Sequence, residues 1–272
     1  MGGIRASDTC MKVLLIGDIV GQPGRKAVSR LVPSLRRELA LDLVIGNAEN
    51  AAGGAGLTPA TADELIDAGI DVLTSGNHIW RKPEIHDRLI SDARVLRPAN
   101  YPPSNPGRGV GVYRTASGKP VGVINVIGRV FMPDHVDCPF RVVEQAVAEV
   151  RRQTSIILVD VHADATSEKV AMGWFLDGKV SGVFGTHTHI QTADERLLPQ
   201  GTAYITDIGM TGPYDSVIGR KTEQILQRFL LQQPMRSEVA EGNVQLRGAL
   251  VDIDPVSGRA VSIERIDRRV NL

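Results

Sequence analysis

The sequence predicts a mixed α/β fold, and three observations support this class. Short apolar runs alternate with segments of helical periodicity in the first part of the chain. Later apolar runs follow one another closely enough to pair as β-hairpins. The 272 residues suffice for one large domain or two small ones, but no repeat, low-complexity tract or linker divides them. We therefore expect residues 11–272 to form one domain in which helices pack against sheets.

The composition limits the classes of protein to which the chain can belong. Its 31 basic and 31 acidic residues balance, so bulk binding of nucleic acid or of an anionic membrane is not expected. The two cysteines, Cys10 and Cys138, form no CxxC pair, which argues against a disulfide framework and a thiolate zinc site. No apolar run approaches the ~20 residues that span a bilayer.

The first residues carry no apolar segment of the kind found in a signal peptide. Together with the low cysteine content, this predicts a soluble protein of a reducing compartment, the cytoplasm. Residues 1–10 are predicted to be a disordered segment or an extension, because Met11 directly precedes the first strand.

The first strand is predicted at Met11–Ile16, an apolar run typical of a strand buried on both faces. Residues 17–24 follow it, and they match neither the dinucleotide-binding GxGxxG pattern nor a P-loop. With these two phosphate-binding motifs excluded, the residue of interest in this segment is the carboxylate Asp18, at the end of the strand. Pro23 then opens a helix that is predicted over residues 24–39.

The next two strands are predicted at residues 41–45 and 71–74, and each ends in a polar motif. The first delivers Gly46-Asn47-Ala48-Glu49-Asn50, in which small neighbours allow a ligand to approach closely. The second ends in Ser75-Gly76-Asn77-His78. Thr58 is typical of the N-cap of the helix between them.

The remaining elements follow from the same periodicities. Strands are predicted at residues 110–114, 120–126, 155–159, 179–184, 202–206, 245–253 and 260–266, and helices at residues 83–90, 140–151, 166–174 and 223–231. A loop rich in Pro and Gly covers residues 97–109. It is a candidate rim or lid of a substrate site, although an inert surface crossing fits it equally well.

Side chains that can bind a metal follow five of the predicted strands, and the carboxyl ends of strands in open α/β sheets form one crevice. In chain order they are Asp18, the group Asn47, Glu49 and Asn50, the pair Asn77 and His78, His162, and the pair His187 and His189. Four of the six histidines belong to this set, whereas His86 and His135 are interpreted as surface residues. Residues two apart in extended or loop geometry point the same way, so His187 and His189 could meet one ion.

Taken singly, several of these residues have a structural alternative. Asp18 could cap the following helix, and His162 could be an ordinary hydrogen-bonded histidine at a strand end. Asp160 and Asp164 could orient His162, but loop carboxylates that face solvent fit equally well. The recurrence of such side chains at five strand ends favours metal ligation for the set as a whole.

The make-up of the set favours two ions over one. A single metal held by three histidines needs no additional carboxylates and amides. Two divalent ions about 3.5–4 Å apart need a bridging carboxylate, for which Glu49 is the candidate. Imidazole, carboxylate and amide ligands together suit iron, manganese or zinc better than calcium or magnesium.

These motifs resemble the calcineurin-like metallophosphoesterase superfamily. Gly76-Asn77-His78 and His187-Thr188-His189 match its general pattern. Two departures are similar to the YmdB-like branch of bacterial 2′,3′-cyclic-nucleotide phosphodiesterases: Val20 stands where the first-motif histidine would be, and Gly46-Asn47-Ala48-Glu49-Asn50 replaces Gly-Asp-x-x-Asp. The resemblance implies two packed mixed β-sheets flanked by helices, an α/β/β/α sandwich.

The resemblance also implies a role for each residue of the set. The ligands of the first metal would be Asp18, Asn50 and His189, those of the second Asn77, His162 and His187, and Glu49 would bridge the two ions. His78 resembles the family's catalytic histidine, which donates a proton to the leaving oxygen or stabilises its charge. The ions would be divalent or of mixed valence, with iron expected foremost and manganese or zinc as alternatives.

The implied activity is hydrolysis of cyclic nucleotides, 2′,3′-cyclic monophosphates foremost, by in-line attack of a metal-bridging hydroxide. Gly53 and Gly54 would let the nucleotide approach the backbone. Two alternatives stay open: a phosphomonoesterase that uses the same site, and a regulatory or RNA-associated protein with structural metals. The expected partner is a small cyclic nucleotide or another phosphate ester, without a membrane, and a homo-oligomer is an open possibility.

Overall fold

The computed structural model describes residues 10–270, so residues 1–9 of the predicted extension lie outside the described part of the chain. It contains two mixed β-sheets and six helices within that range. The helices are α1 (Gly21–Glu38), α2 (Pro59–Asp67), α3 (His86–Ser91), α4 (Pro139–Val150), α5 (Thr166–Leu176) and α6 (Thr222–Leu231). Between residues 10 and 270, none of these helices has the length and apolar character to cross a lipid bilayer.

The first sheet has seven strands. They are β1 (Met11–Ile16), β2 (Asp18–Ile19), β3 (Leu43–Asn47), β4 (Val72–Thr74), β11 (Met210–Pro213), β12 (Val244–Ile253) and β13 (Ala260–Val270). Their order is β2-β11-β12-β1-β3-β4, and β13 pairs with β12 as the predicted closing hairpin. β1, β3 and β4 run parallel, whereas β12 lies antiparallel to β1.

The second sheet has six strands. They are β5 (Val110–Arg114), β6 (Pro120–Ile127), β7 (Ile157–His162), β8 (Gly182–Thr186), β9 (Arg196–Leu197) and β10 (Ala203–Ile205), in the order β5-β6-β7-β8-β10-β9. The central strands β6, β7, β8 and β10 are parallel, and β5 and β9 close the edges in antiparallel fashion. Both sheets are therefore mixed, as predicted.

Alternation along the strands explains how the layers stack. Val13 and Leu15 of β1 join a core with Val123 and Leu158 of the second sheet, so the two sheets pack face to face. The intervening Leu14 and Ile16 point the other way, into a core with α1 and α2. A third core packs α4 and α5 against the outer face of the second sheet. The α/β/β/α sandwich is thus confirmed, and burial on both faces accounts for the continuous apolar run of β1.

Local boundaries differ from the prediction where short elements intervene. Helix α1 begins at Gly21, three residues before the predicted start at residue 24. The predicted helix over residues 83–90 is wrong in its first half, since Pro83–Ile85 forms a 3₁₀ turn and the α-helix begins at His86. The strands β2, β9 and β11 were not predicted, because their short sequences, Asp-Ile, Arg-Leu and Met-Thr-Gly-Pro, form no apolar run.

Candidate metal centre

The predicted ligands lie where the carboxyl ends of strands from both sheets meet. Asp18 begins β2, and the motifs that carry Glu49 and His78 follow β3 and β4. His162 ends β7, and His187 follows β8. A hydrogen bond from the backbone N–H of His187 to Asp18 Oδ2, 3.1 Å long, joins the two sheets at this point. All of the predicted site residues take part in one network of contacts around it.

The first group of ligand atoms surrounds the buried ring of His162. Its Nε2 atom lies 3.3 Å from Glu49 Oε1, 3.0 Å from His187 Nδ1 and 3.2 Å from Asn77 Oδ1. Ligand atoms of Glu49, His162 and His187 lie within 4.8 Å of one another. Gly76 makes this approach possible, because a Cβ atom there would lie 2.2 Å from His162 Nε2.

The second group lies on the other side of Glu49. Asn50 Nδ2 contacts both Glu49 Oε1, at 3.3 Å, and His189 Nε2, at 3.0 Å. His189 Nε2 is 3.9 Å from Asp18 Oδ1. Only the oxygen of an amide can ligate a cation, and in the observed orientation that oxygen of Asn50 faces His78 instead. The ligand role predicted for Asn50 therefore requires its amide to be reversed.

The His187-Thr188-His189 backbone is not extended, so the expectation that both rings point the same way is wrong. His187 has φ 98° and His189 has φ 66°, both in the left-handed region. The His187 ring consequently turns to His162, with ring centroids 4.7 Å apart, whereas His189 turns to Asn50. His189 Nδ1 lies 3.0 Å from the carbonyl oxygen of Ile218, to which it donates, and this leaves Nε2 free for a ligand.

A buried polar relay orients the His162 ring from behind. Thr186 Oγ1 donates to Asp160 Oδ1 at 2.7 Å, so it accepts from His162 Nδ1 at 2.9 Å. In the neutral ring, the lone pair of His162 is therefore on Nε2, which faces the ligand group. Asn47 braces the same relay through a 3.2 Å bond to Asp160, and its Oδ1 accepts from the backbone N–H of Glu49. Asp160 is therefore a buried residue that helps to orient His162, and not a loop carboxylate that faces solvent.

Replacing Thr186 with Val is expected to weaken metal binding about 10- to 100-fold, the usual effect of removing a partner that orients a ligand. The valine keeps the shape of the side chain but cannot accept from His162 Nδ1. Competition with a chromogenic chelator measures the affinity for Mn²⁺. Thr154→Val is the matched control, because Thr154 is also buried but lies in the turn before β7, where its hydroxyl donates to the Pro120 carbonyl. Equal affinities for the two variants would contradict the orienting role.

The buried carboxylates of the site lack compensating positive charge, which a bound cation would supply. Burial, together with the Glu49 and Asp207 charges and against that of His162, raises the pKa of the Asp18 carboxyl well above its usual value. Burial alone would lower the pKa of His162, but the Glu49 carboxylate raises it to about 9. Burial and the neighbouring His162 lower the pKa of His187 to about 3, which keeps that ring neutral.

One buried atom tests whether these residues fit a metal ion. Asp18 Oδ1 is buried and has no hydrogen-bond partner among residues 10–270. Such an atom is costly unless a ligand completes it. The neighbouring donors are carboxylate oxygens and imidazole nitrogens, the set that divalent transition metals prefer. The residues therefore fit the predicted cofactor.

The centre opens into a cleft of about 330 Å³. Its lining residues are Glu49, Asn50, Gly54, His78, Asp164, His187, Thr188, His189, Ile218 and Arg220. Of Asp160 and Asp164, it is Asp164 that is exposed and faces the cleft. The loop over residues 97–109, a candidate rim or lid, contributes no residue to this lining. Sequence reasoning missed Ile218 and Arg220, because they belong to no motif and lie in a segment without periodicity.

His78 lies at the wall of this cleft and is held from two sides. Its backbone N–H donates to Glu49 Oε2 at 3.0 Å, and its Nδ1 donates to Asn50 Oδ1 at 2.8 Å. Burial lowers the pKa of the imidazole, although the Glu49 charge opposes this. The ring of the nearby His86 packs edge-on against Trp80, with centroids 5.7 Å apart. His86 lies partly buried at the surface, with one side of its ring against Trp80.

Comparison with known proteins shows that the chain is similar to phosphoesterases of bacteria. A sequence model described as "YmdB-like protein" matches residues 14–266. A 2′,3′-cyclic-nucleotide 2′-phosphodiesterase of Bacillus subtilis (strain 168) is 49% identical over 256 residues, which cover 94% of this chain and 96% of that protein. A putative phosphatase/phosphodiesterase of Mycoplasma genitalium is 34% identical over 262 residues, or 94% of this chain and 92% of the relative.

Two solved structures are also similar over nearly the whole chain. A hypothetical protein from Thermus thermophilus has a TM-score of 0.90 and 41% identity, and the match covers 96% of this chain and 100% of that one. A novel phosphatase from Mycoplasma pneumoniae has a TM-score of 0.89 and 34% identity, with 96% and 94% covered.

Proposed function

Since this chain belongs to the YmdB-like family, we propose that it is a metal-dependent phosphodiesterase that hydrolyses 2′,3′-cyclic nucleotides. The substrate class is supported by the Bacillus subtilis relative, which is 49% identical and bears that activity in its name. The observation that carries the proposal is the position of Glu49. Its Oε1 atom lies 3.3 Å from His162 Nε2 and 3.3 Å from Asn50 Nδ2, between two groups of potential ligands at the wall of an open cleft.

Two ions would be held by the residues on either side of Glu49. Asp18 and His189 would serve one ion, together with Asn50 once its amide is reversed, and Asn77, His162 and His187 would serve the other. Divalent ions bound there supply Lewis-acid charge and an activated water for in-line displacement at phosphorus. Iron is the metal expected foremost, with manganese and zinc as alternatives that fit the same donors.

His78 would exchange a proton with the leaving oxygen. The 2.8 Å contact of its Nδ1 atom with the Asn50 amide fixes the ring. With that amide reversed, Asn50 Nδ2 would donate to Nδ1, so that Nε2 would carry the proton of the neutral ring and be the atom available to the leaving oxygen. The bond from its backbone N–H to Glu49 Oε2 ties the position of the histidine to the proposed bridging carboxylate. Proton transfer in this geometry lowers the barrier to departure of the ribose oxygen.

Replacing His78 with Ala is expected to lower kcat by about 100-fold while the metal content stays at the wild-type level, since general acid catalysis typically contributes that much or more. Steady-state rates and elemental analysis of the same preparation measure the two quantities. His135→Ala is the control, because His135 is exposed and lines a different cavity. Wild-type metal content and wild-type activity in His78→Ala would refute the catalytic assignment.

A substrate panel tests the function itself. Protein purified without affinity metals would be assayed with 2′,3′-cyclic AMP and with 5′-AMP, and its bound metals determined by elemental analysis. We expect cleavage of the 2′ ester and release of the nucleoside 3′-phosphate, with little turnover of 5′-AMP. Activity on the monoester alone would overturn the proposal in favour of a phosphomonoesterase. Metal binding without either activity would favour a regulatory role.

A further inference from the structure

A strained turn over residues 217–220 forms one wall of the cleft. The backbones of Val217 and Arg220 bond to each other in both directions, at 2.9 and 3.0 Å. Ile218 has φ 46° and Gly219 has φ 92°, so a β-branched residue occupies the left-handed region. The carbonyl of Ile218 accepts from His189 Nδ1. Strain of this kind persists at functional sites when surrounding contacts enforce it, and here the turn is bound to a proposed metal ligand.

The Arg220 side chain extends from this turn to the loop that follows Glu49 and Asn50. Its Nη1 donates to the carbonyl oxygens of Gly53, at 3.4 Å, and Ser237, at 3.2 Å, and its Nη2 donates to that of Gly54. A Cβ atom on Gly54 would lie 2.7 Å from the guanidinium carbon. On the side of Gly54 where a Cβ atom would lie, the arginine and not a nucleotide therefore occupies the space, although Gly54 still lines the cleft.

The acceptors of Arg220 are all neutral carbonyl groups, and among residues 10–270 no carboxylate pairs with it. A half-buried guanidinium without an anionic partner leaves its charge uncompensated within the protein. Burial accordingly lowers the pKa of the group. Of its five N–H donors, Nε–H and the second Nη2 hydrogen have no partner in the described part of the chain.

Arg220 lines the same cleft as Glu49, His78 and His187. We propose that its free donors bind a non-bridging oxygen of the substrate's phosphate, so that Arg220 is a substrate-binding residue of this site. The inference rests on the proposed function, because it takes the ligand to be a phosphate ester. The three carbonyl contacts fix the guanidinium plane before the substrate binds. A planar pair of N–H donors held in this way suits an oxyanion better than the flexible ammonium group of a lysine does.

The direct test measures inorganic phosphate binding to metal-loaded protein by calorimetry. Arg220→Met removes the charge and keeps the stem, and we expect it to weaken phosphate binding about 10- to 100-fold, the range of a charge-assisted contact. Arg220→Lys retains the charge without the fork, so it should recover part of this loss. With 2′,3′-cyclic AMP, KM should rise more than kcat falls. Arg152→Met is the control, because Arg152 is exposed in the turn before β7, at the strand ends opposite the cleft, and the affinity of this variant should stay within about twofold of wild type.

Two outcomes would overturn the proposal. Phosphate affinity within about twofold of wild type in metal-loaded Arg220→Met would mean that the arginine only fastens the loop. Loss of metal that excess metal does not restore would mean that it acts through the ligands and not on the anion. Phosphate binding does not require turnover of a cyclic nucleotide. An inactive wild type whose phosphate affinity still depends on Arg220 would therefore refute the proposed function and leave this inference standing.

Discussion

Replacing Glu49 with Gln is expected to lower kcat/KM for 2′,3′-cyclic AMP by about 10³-fold, at the upper end of what removing one preorganised electrostatic group costs. The glutamine keeps the shape of the side chain but removes the negative charge between the two ligand groups. It also places an amide nitrogen where an oxygen now lies 3.3 Å from His162 Nε2. We expect bound metal to fall below the wild-type level for the same reason.

Steady-state kinetics and elemental analysis on the same preparation measure this prediction. Glu144→Gln is the control, because Glu144 is an exposed carboxylate of α4, which packs on the outer face of the second sheet, and it does not line the cleft. Its activity and metal content should equal those of the wild type. Full metal content and activity in Glu49→Gln would show that no carboxylate bridge is needed at this position.

Replacing Lys169 with Met is expected to lower the free energy of unfolding by about 3–5 kcal/mol, the usual cost of removing one partner of a buried ion pair. Lys169 Nζ lies 2.7 Å from Asp207 Oδ2, and both side chains are at most 2% exposed. Without the ammonium group, the Asp207 carboxylate would stay buried with an uncompensated charge. It would keep only neutral donors, among them the hydroxyl of Thr188 at 2.8 Å.

Urea denaturation in the presence of a chelator measures this effect without a contribution from metal binding. The double variant Lys169→Met/Asp207→Asn should be more stable than the single variant, since it leaves no unpaired charge. Lys221→Met is the surface control, because Lys221 and Glu238 form an exposed pair, and we expect its stability to be nearly unchanged. A loss below about 1 kcal/mol for Lys169→Met would contradict the importance of the buried pair.

The Lys169–Asp207 ion pair also supports the loop that carries the proposed metal ligands His187 and His189. Its carboxylate accepts from the backbone N–H and the hydroxyl of Thr188, the residue between His187 and His189. Lys169 thus supports the loop that presents both histidines, although it belongs to α5 and lies 38 residues from Asp207 in the chain. Stability and site geometry are coupled at this point.

Several features of the protein could be predicted from the sequence because they depend on neighbouring residues. The apolar run at Met11–Ile16 predicted a strand buried on both faces, and Thr58 was recognised as the N-cap of α2, where it forms a capping box with Thr61. The positions of Glu49 and His162 were also predictable. Each ends or follows a strand, and in a parallel arrangement those ends converge whatever the exact strand order.

Only the tertiary structure decided the contacts between segments that are distant in the chain. The left-handed backbone at His187 and His189 separated two rings that local geometry would have aimed together. Asp160 became a buried partner of Thr186 through the pairing of β7 with β8, and Arg220 reached Gly54 across 166 residues. Periodicity and motif spacing describe residues within one element. Which side chain fills the space beside another depends on strand order, register and turn conformation, and these follow from the packing of the whole chain.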